Sequence, residues 1–260
     1  MRVLALAIAL LALPAASAAA AEPTAPPGAF VSLHDVDPSI VIEMRYLTNH
    51  DFMGRRVPGY RENVCLLTRQ AADAVKRVQT AVRAHGYTLK VYDCYRPQRS
   101  VDAFVKWGKD LSDQRMKREF YPRVAKKVVF KEGYIATQSG HSRGSTLDLT
   151  LVKLPARRQE RYSRGDRLRD CAAPAGRRFR DNSIDMGTGY DCFDPLAHPF
   201  NARIRGKQRA NRLKLREPMI RAGFKGLPTE WWHFTLKNEP YPDTFFDFPV
   251  ASNVAEGTRP

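Results

Sequence analysis

The chain has 260 residues, with 43 lysine and arginine against 27 aspartate and glutamate, a formal charge of +16. That length supports one substantial core, and no apolar run approaches the ~20 residues a membrane-spanning helix needs. The basic excess invites a nucleic-acid reading, but it gathers in two patches, 157–180 and 203–221, with no zinc-finger, RNP or helix-turn-helix pattern around them; a solvated surface weakly attracted to anionic envelope polymers is expected instead, with no nucleic-acid partner.

In chain order, Arg2, the apolar run Val3 to Leu13 and the small residues Ala15 to Ala21 read as a secretory signal cut before Glu22. Residues 1–21 are thus expected to be a signal peptide, 22–29 a flexible Pro- and Ala-rich lead, 30–250 one domain and 251–260 a tail, in a secreted, periplasmic protein. Thr68 is the expected N-cap of a helix with Ala71, Ala74, Val75, Val78, Ala81 and Val82 on one stripe, stopped by Gly86. Tyr87 to Cys94 alternates as a strand, Ser100 to Trp107 and Ser112 to Phe120 read as helices, and Thr146 to Leu154 as a buried strand. Lys153 to Ser183 is expected to be a long basic surface loop. Gln208 to Ala222 is expected to be an amphipathic helix presenting Leu213, Leu215, Met219 and Ile220, closed by Gly223, and Glu230 to Lys237 a short aromatic strand. Helices and strands mixed without βαβ regularity predict an α+β single domain with a small antiparallel sheet flanked by helices.

Four cysteines in an exported chain allow three pairings. Cys171 and Cys192 flank a polar segment that suits a local staple, and Cys65, before a helix, can meet Cys94 on the strand after it.

Two clusters carry the chemistry. His141 lies in a Gly/Ser-rich loop just before Asp148, whose carboxylate would be costly to bury among Leu147, Leu149 and Leu151 without a partner. A cation would serve; so would a neighbouring arginine or backbone N–H. In Glu230-Trp-Trp-His233, strand positions three apart point to opposite faces, so both side chains reach one site only if the segment begins as a loop. His233 taken alone also fits a satisfied buried histidine. Together the clusters offer two imidazoles, a carboxylate and a spare glutamate, the donor set of a catalytic zinc with an open position and an adjacent base.

Three stretches, Tyr92-Asp-Cys-Tyr-Arg96-Pro-Gln-Arg, Ser139-Gly-His-Ser-Arg-Gly-Ser-Thr-Leu-Asp148-Leu-Thr and Glu230-Trp-Trp-His233-Phe, resemble in order and spacing the VanX-like D-alanyl-D-alanine dipeptidases of the LAS-type zinc peptidases. The resemblance covers about residues 30 to 250. It implies one Zn²⁺ per subunit on His141, Asp148 and His233, with Glu230 as general base and Arg96 as the cation at the developing oxyanion. It places Asp191 at the substrate ammonium, with Tyr46 and Ser139 near by. Arg143 is expected to order the loop and to stand outside the chemistry. The expected reaction is hydrolysis of D-alanyl-D-alanine and similar small D,D-dipeptides in cell-wall turnover. A D,D-carboxypeptidase acting on peptidoglycan stems and a non-enzymatic wall-binding module with structural zinc are the alternatives.

Overall fold

The computed structural model describes residues 28–256; the expected signal peptide, all but the last two residues of the expected lead and the last four residues of the chain lie outside them. Two adjacent strands dominate the core. β4 (Tyr87–Asp93) and β5 (Thr146–Lys153) are buried along almost their whole length. That pattern belongs to central strands covered on both faces. They pair antiparallel within a five-stranded sheet of order β2-β4-β5-β7-β6, where β2 is Val41–Ile42, β6 Phe224–Gly226 and β7 His233–Leu236. The short β2 runs parallel to β4 at one edge, and the remaining pairs are antiparallel. A separate two-stranded sheet joins β1 (Phe30–Ser32) to β3 (Leu66–Thr68). The α+β class holds, and the sheet is mixed only at that edge.

α1 (Arg69–Arg83) packs against β4 through Ala71, Ala72, Ala74, Val75, Val78 and Val82. Ala81 is exposed and off the stripe, and Gln79 takes a buried place by bonding Thr88 and the Leu89 N–H. Thr68 does precede the helix, but its hydroxyl makes no cap; it bonds Ser145 Oγ at 2.7 Å and ties β3 to the start of β5. α2 (Gln98–Lys109) matches its expectation. Of the helix expected over Ser112 to Phe120, only the turn Lys117–Phe120 forms.

α3 (Gly206–Arg221) differs most. Its buried residues are Asn211, Arg212, Leu215, Pro218 and Met219, while Leu213 and Ile220 are half-buried. Buried Arg212 donates to the carbonyls of Met186 at 2.7 Å, His198 at 2.6 Å and Leu196 at 2.8 Å. The helix therefore grips the loop after residue 185 by a cation among carbonyls, a contact that apolar periodicity does not report. Arg178 is buried as well, so neither basic patch is wholly solvated.

Both expected disulfides form: Cys65–Cys94 and Cys171–Cys192, with Cα–Cα distances of 5.3 and 5.6 Å. The first joins β3 to the end of β4. The second fastens the basic loop to the residue that follows Asp191.

Candidate metal centre and active site

Ser139 opens one helical turn, Gly140–Arg143, and its hydroxyl oxygen accepts the His141 backbone N–H at 3.3 Å. Gly144 ends the turn at φ +79°, where a Cβ would meet the Phe30 ring at 2.2 Å. Only glycine allows both the left-handed backbone and that approach. The chain then enters β5, and Asp148 stands directly opposite His233 in the β5–β7 ladder. Arg143 makes a two-point ion pair with Glu239 at 2.8 and 2.9 Å, which orders the loop as expected.

On its other side, Asp148 pairs with Asp93. The β4–β5 register steps from Val91–Leu149 to Asp93–Asp148, so a bulge at Tyr92 turns Asp93 toward the site. The buried Asp93 carboxylate accepts from Tyr60 Oη at 2.6 Å and from Arg96 Nε at 2.9 Å.

The three candidate donor side chains converge. His141 Nδ1 lies 2.7 Å from the Cys94 carbonyl oxygen. A carbonyl only accepts, so Nδ1 carries the proton and Nε2 presents its lone pair inward. Nε2 is 3.2 Å from His233 Nδ1 and 3.3 Å from Asp148 Oδ1, which is 3.1 Å from His233 Nδ1. All three donors fall within 4.8 Å of one another. Asp148 Oδ1 is buried and accepts no hydrogen bond, whereas Oδ2 accepts from Tyr190 Oη at 3.1 Å. An unpartnered buried carboxylate oxygen facing two imidazoles fits a divalent cation, and His-His-Asp is a zinc-type donor set. Burial would raise the Asp148 carboxyl, but His141 and His233 reverse this and hold it well below the usual range.

Glu230 sits in the turn before β7, which settles the three-residue spacing: the segment begins as a loop, and Glu230 Oε2 comes within 3.6 Å of His233 Nδ1. Burial pushes its carboxyl up to about 7, with His233 opposing and Asp148 reinforcing. Trp231 anchors the turn, its indole N–H donating to Thr188 at 2.8 Å.

Arg96 is held by Asp93, with its guanidinium over the Tyr46 and Phe104 rings at 5.1 and 5.0 Å, and Nη1 3.4 Å from Ser139 Oγ. Asp191 has the unusual φ of +57° for a non-glycine residue and accepts from Tyr46 Oη at 2.8 Å. Burial holds its carboxyl well above the usual range. All eight side chains picked from sequence line or adjoin one cavity of about 250 Å³, just under the roughly 300–1,000 Å³ of ordinary small-molecule clefts. Asp93, Tyr60 and Tyr190 carry the support around it. Asp93, an acid on an apolar strand three residues before Arg96, was the one with a readable signal.

The peptidase M15 family model, described as D-ala-D-ala dipeptidase, matches residues 28–158 and 157–251, two stretches that meet at the start of the basic loop. The chain is 37% identical over 224 residues to a D-alanyl-D-alanine dipeptidase of Streptomyces coelicolor, across 86% of this chain and 99% of that one. It is 33% identical over 222 residues to a D-alanyl-D-alanine dipeptidase of Enterococcus faecalis, across 85% and 98%. A third, from Enterococcus faecium, is 30% identical over 221 residues, across 85% and 98%.

Proposed function

The chain belongs to the D-Ala-D-Ala dipeptidase family of M15 peptidases, and on that premise we propose that it is an exported zinc peptidase hydrolysing D-alanyl-D-alanine and similar small D,D-dipeptides to free D-amino acids. The carrying observation is the convergence of His141, Asp148 and His233 around an otherwise unpartnered buried oxygen, with Glu230 beside them. These three would hold one Zn²⁺ per subunit, which when bound supplies Lewis acidity, polarising the scissile carbonyl and bringing the pKa of water near 7.

The protein's own groups divide the remaining work. Glu230 takes a proton from the attacking water and returns one to the leaving amine, and a carboxyl near neutrality suits both transfers. Arg96, fixed by Asp93, donates to the oxygen as negative charge develops, and a guanidinium does so without losing its proton. Asp191 receives the substrate ammonium, whose charge restores the ionised carboxylate that burial disfavours, while Tyr46 aims it and Ser139 holds the His141 turn. An N-blocked peptide would leave Asp191 buried without its cation, which favours free dipeptides over peptidoglycan stems.

Export into an oxidising compartment, the periplasm, is supported by the two disulfides together with the leader-like Met1 to Ala21. Among the described residues no helix is long and apolar enough to cross a membrane. The role there would be recovery of dipeptides released from the wall. The test is zinc content together with turnover of D-Ala-D-Ala and L-Ala-L-Ala: Glu230→Ala should keep the zinc and lose at least ~100-fold in kcat. Wild-type-like turnover in that variant removes Glu230 from the mechanism.

A further inference from the structure

A second cavity, of about 440 Å³, lies between the basic loop and residues 181–190. It shares a wall with the first. Tyr190 lines it, stacks on Tyr92 with ring centroids 4.4 Å apart, and donates its hydroxyl to Asp148. The dipeptide site and this cavity therefore sit back to back.

The charges within the cavity do not balance. Asp181 is taken from below: Lys90 Nζ reaches Oδ1 at 2.6 Å, while Arg45 and Tyr92 donate to Oδ2. Lys90 and Arg45 also share Glu43, so two cations and two carboxylates close among themselves. Asp185 is taken by Arg178 at 2.6 Å and by Gln208 at 2.9 Å. Every carboxylate in the lining is thus neutralised. Arg157, Arg158 and Arg180 also line the cavity, are exposed, and form no ion pair among the described residues.

We propose that this cavity is a second binding site, for a phosphate-bearing anion with two or more adjacent charges, held by Arg157, Arg158 and Arg180. Three guanidiniums suit phosphate better than a lone carboxylate: each presents a planar fork that matches two phosphate oxygens, and a phosphate monoester brings nearly two charges where a carboxylate brings one. The low-dielectric wall of Tyr92, Tyr190 and Trp231 strengthens attraction at the mouth. The anion binds behind Asp148 and does not compete with the dipeptide. In the envelope, such a ligand comes either from a soluble or wall-linked phosphate polymer or from a phospholipid headgroup.

The probe is inorganic tripolyphosphate, titrated calorimetrically into the zinc-loaded protein at low salt. Saturable binding is expected, at least ~10-fold weaker in R157A/R158A/R180A and within about twofold of wild type in R203A/R205A/K207A, which removes the same charge from exposed positions in and before α3. D-Ala-D-Ala hydrolysis should be unchanged in the first variant, which verifies its fold; should it not fold, Arg180→Ala alone should weaken binding by about threefold. Vesicles containing cardiolipin, whose headgroup carries two adjacent phosphates, distinguish the sources: capture that is lost with R157A/R158A/R180A assigns the headgroup, and no capture assigns the phosphate polymer. Absence of tripolyphosphate binding, or equal weakening in both triple variants, overturns the proposal, since equal weakening means a diffuse response to net charge.

Discussion

Replacing Tyr190 by phenylalanine isolates one hydrogen bond to a proposed metal ligand. The ring stays where it is, stacked on Tyr92 at 4.4 Å and edge-on to Trp232 at 5.5 Å, so packing is retained and only the hydroxyl is lost. That hydroxyl donates to Asp148 Oδ2 at 3.1 Å, leaving Oδ1 directed at His141 and His233. A hydrogen bond to a charged group contributes about 1.5–3 kcal/mol, and losing a partner that orients a metal ligand typically costs 10–100-fold in metal affinity. The bond is long for a charged acceptor, and Arg96 Nη2 also faces Oδ2 at 3.8 Å, so the lower end applies. Tyr190→Phe should therefore weaken zinc binding about 10-fold, or about 1.4 kcal/mol, measured by competition with a chromophoric chelator. The metal-free variant should melt within a few degrees of metal-free wild type. A zinc affinity within twofold of wild type, with the fold intact, would show that Asp148 is oriented by its strand alone. A wild-type protein that binds no zinc would instead refute the metal reading of the site.

Other predictions follow from the framework around the site. Asp51 is buried, with Oδ1 accepting from the Met53 and Gly54 N–H groups and Oδ2 unpartnered, and burial pushes its carboxyl up to about 8. A folded value above the unfolded ~4 means that its contribution is complete below pH ~4 and is lost as pH rises to about 8, by at most roughly 6 kcal/mol. Asp51→Asn should flatten that slope and be more stable than wild type at pH 9 in urea unfolding; parallel stability curves would refute it. Arg212→Met leaves three carbonyls without donors and frees the loop that carries Asp191. It should cost about 2–4 kcal/mol and raise KM for D-Ala-D-Ala more than it lowers kcat, whereas an unchanged KM would confine Arg212 to stability.

The long elements were readable from the sequence because their period repeats. α1 needs four turns of small apolar residues, and β5 sets Leu147, Leu149 and Leu151 at alternate positions around one acid, so each was placed within a residue or two. The pieces under four residues, β1, β2, β3 and β6, carry too little period to be seen, and they are held by tertiary pairing. α3 misled because its inward face is set by Arg212 and Asn211, which satisfy carbonyls on another segment. At the candidate site, residue types were informative and register was not. The bulge at Tyr92 decides whether Asp93 or Tyr92 faces Asp148, and nothing local in Val-Tyr-Asp-Cys announces it. Glu230 shows the opposite: the strand rule itself demanded a loop before His233, and a loop is present.

The electrostatics of the whole site lead to a last prediction. Asp93, Asp148, Asp191 and Glu230 gather around one fixed cation, Arg96, in largely buried positions. Asp93, Asp191 and Glu230 are all held above their ordinary range, by burial first, with the Asp148 charge adding to each. A cluster with that much negative charge and one arginine is destabilised by its own charges unless protons or a cation neutralise them. A divalent ion at His141, Asp148 and His233 does this without protonating the groups the reaction needs. Removing it should therefore lower stability: with free zinc at 1,000 times its dissociation constant, the difference is about 4 kcal/mol. Melting curves with and without chelator near pH 7.5 measure it. The gap should close in Asp148→Asn, and also as pH falls, because the imidazoles that bind metal must be neutral. Coincident curves for wild type at pH 7.5 would mean that the acidic cluster tolerates its own repulsion, and the argument from charge to metal would fail.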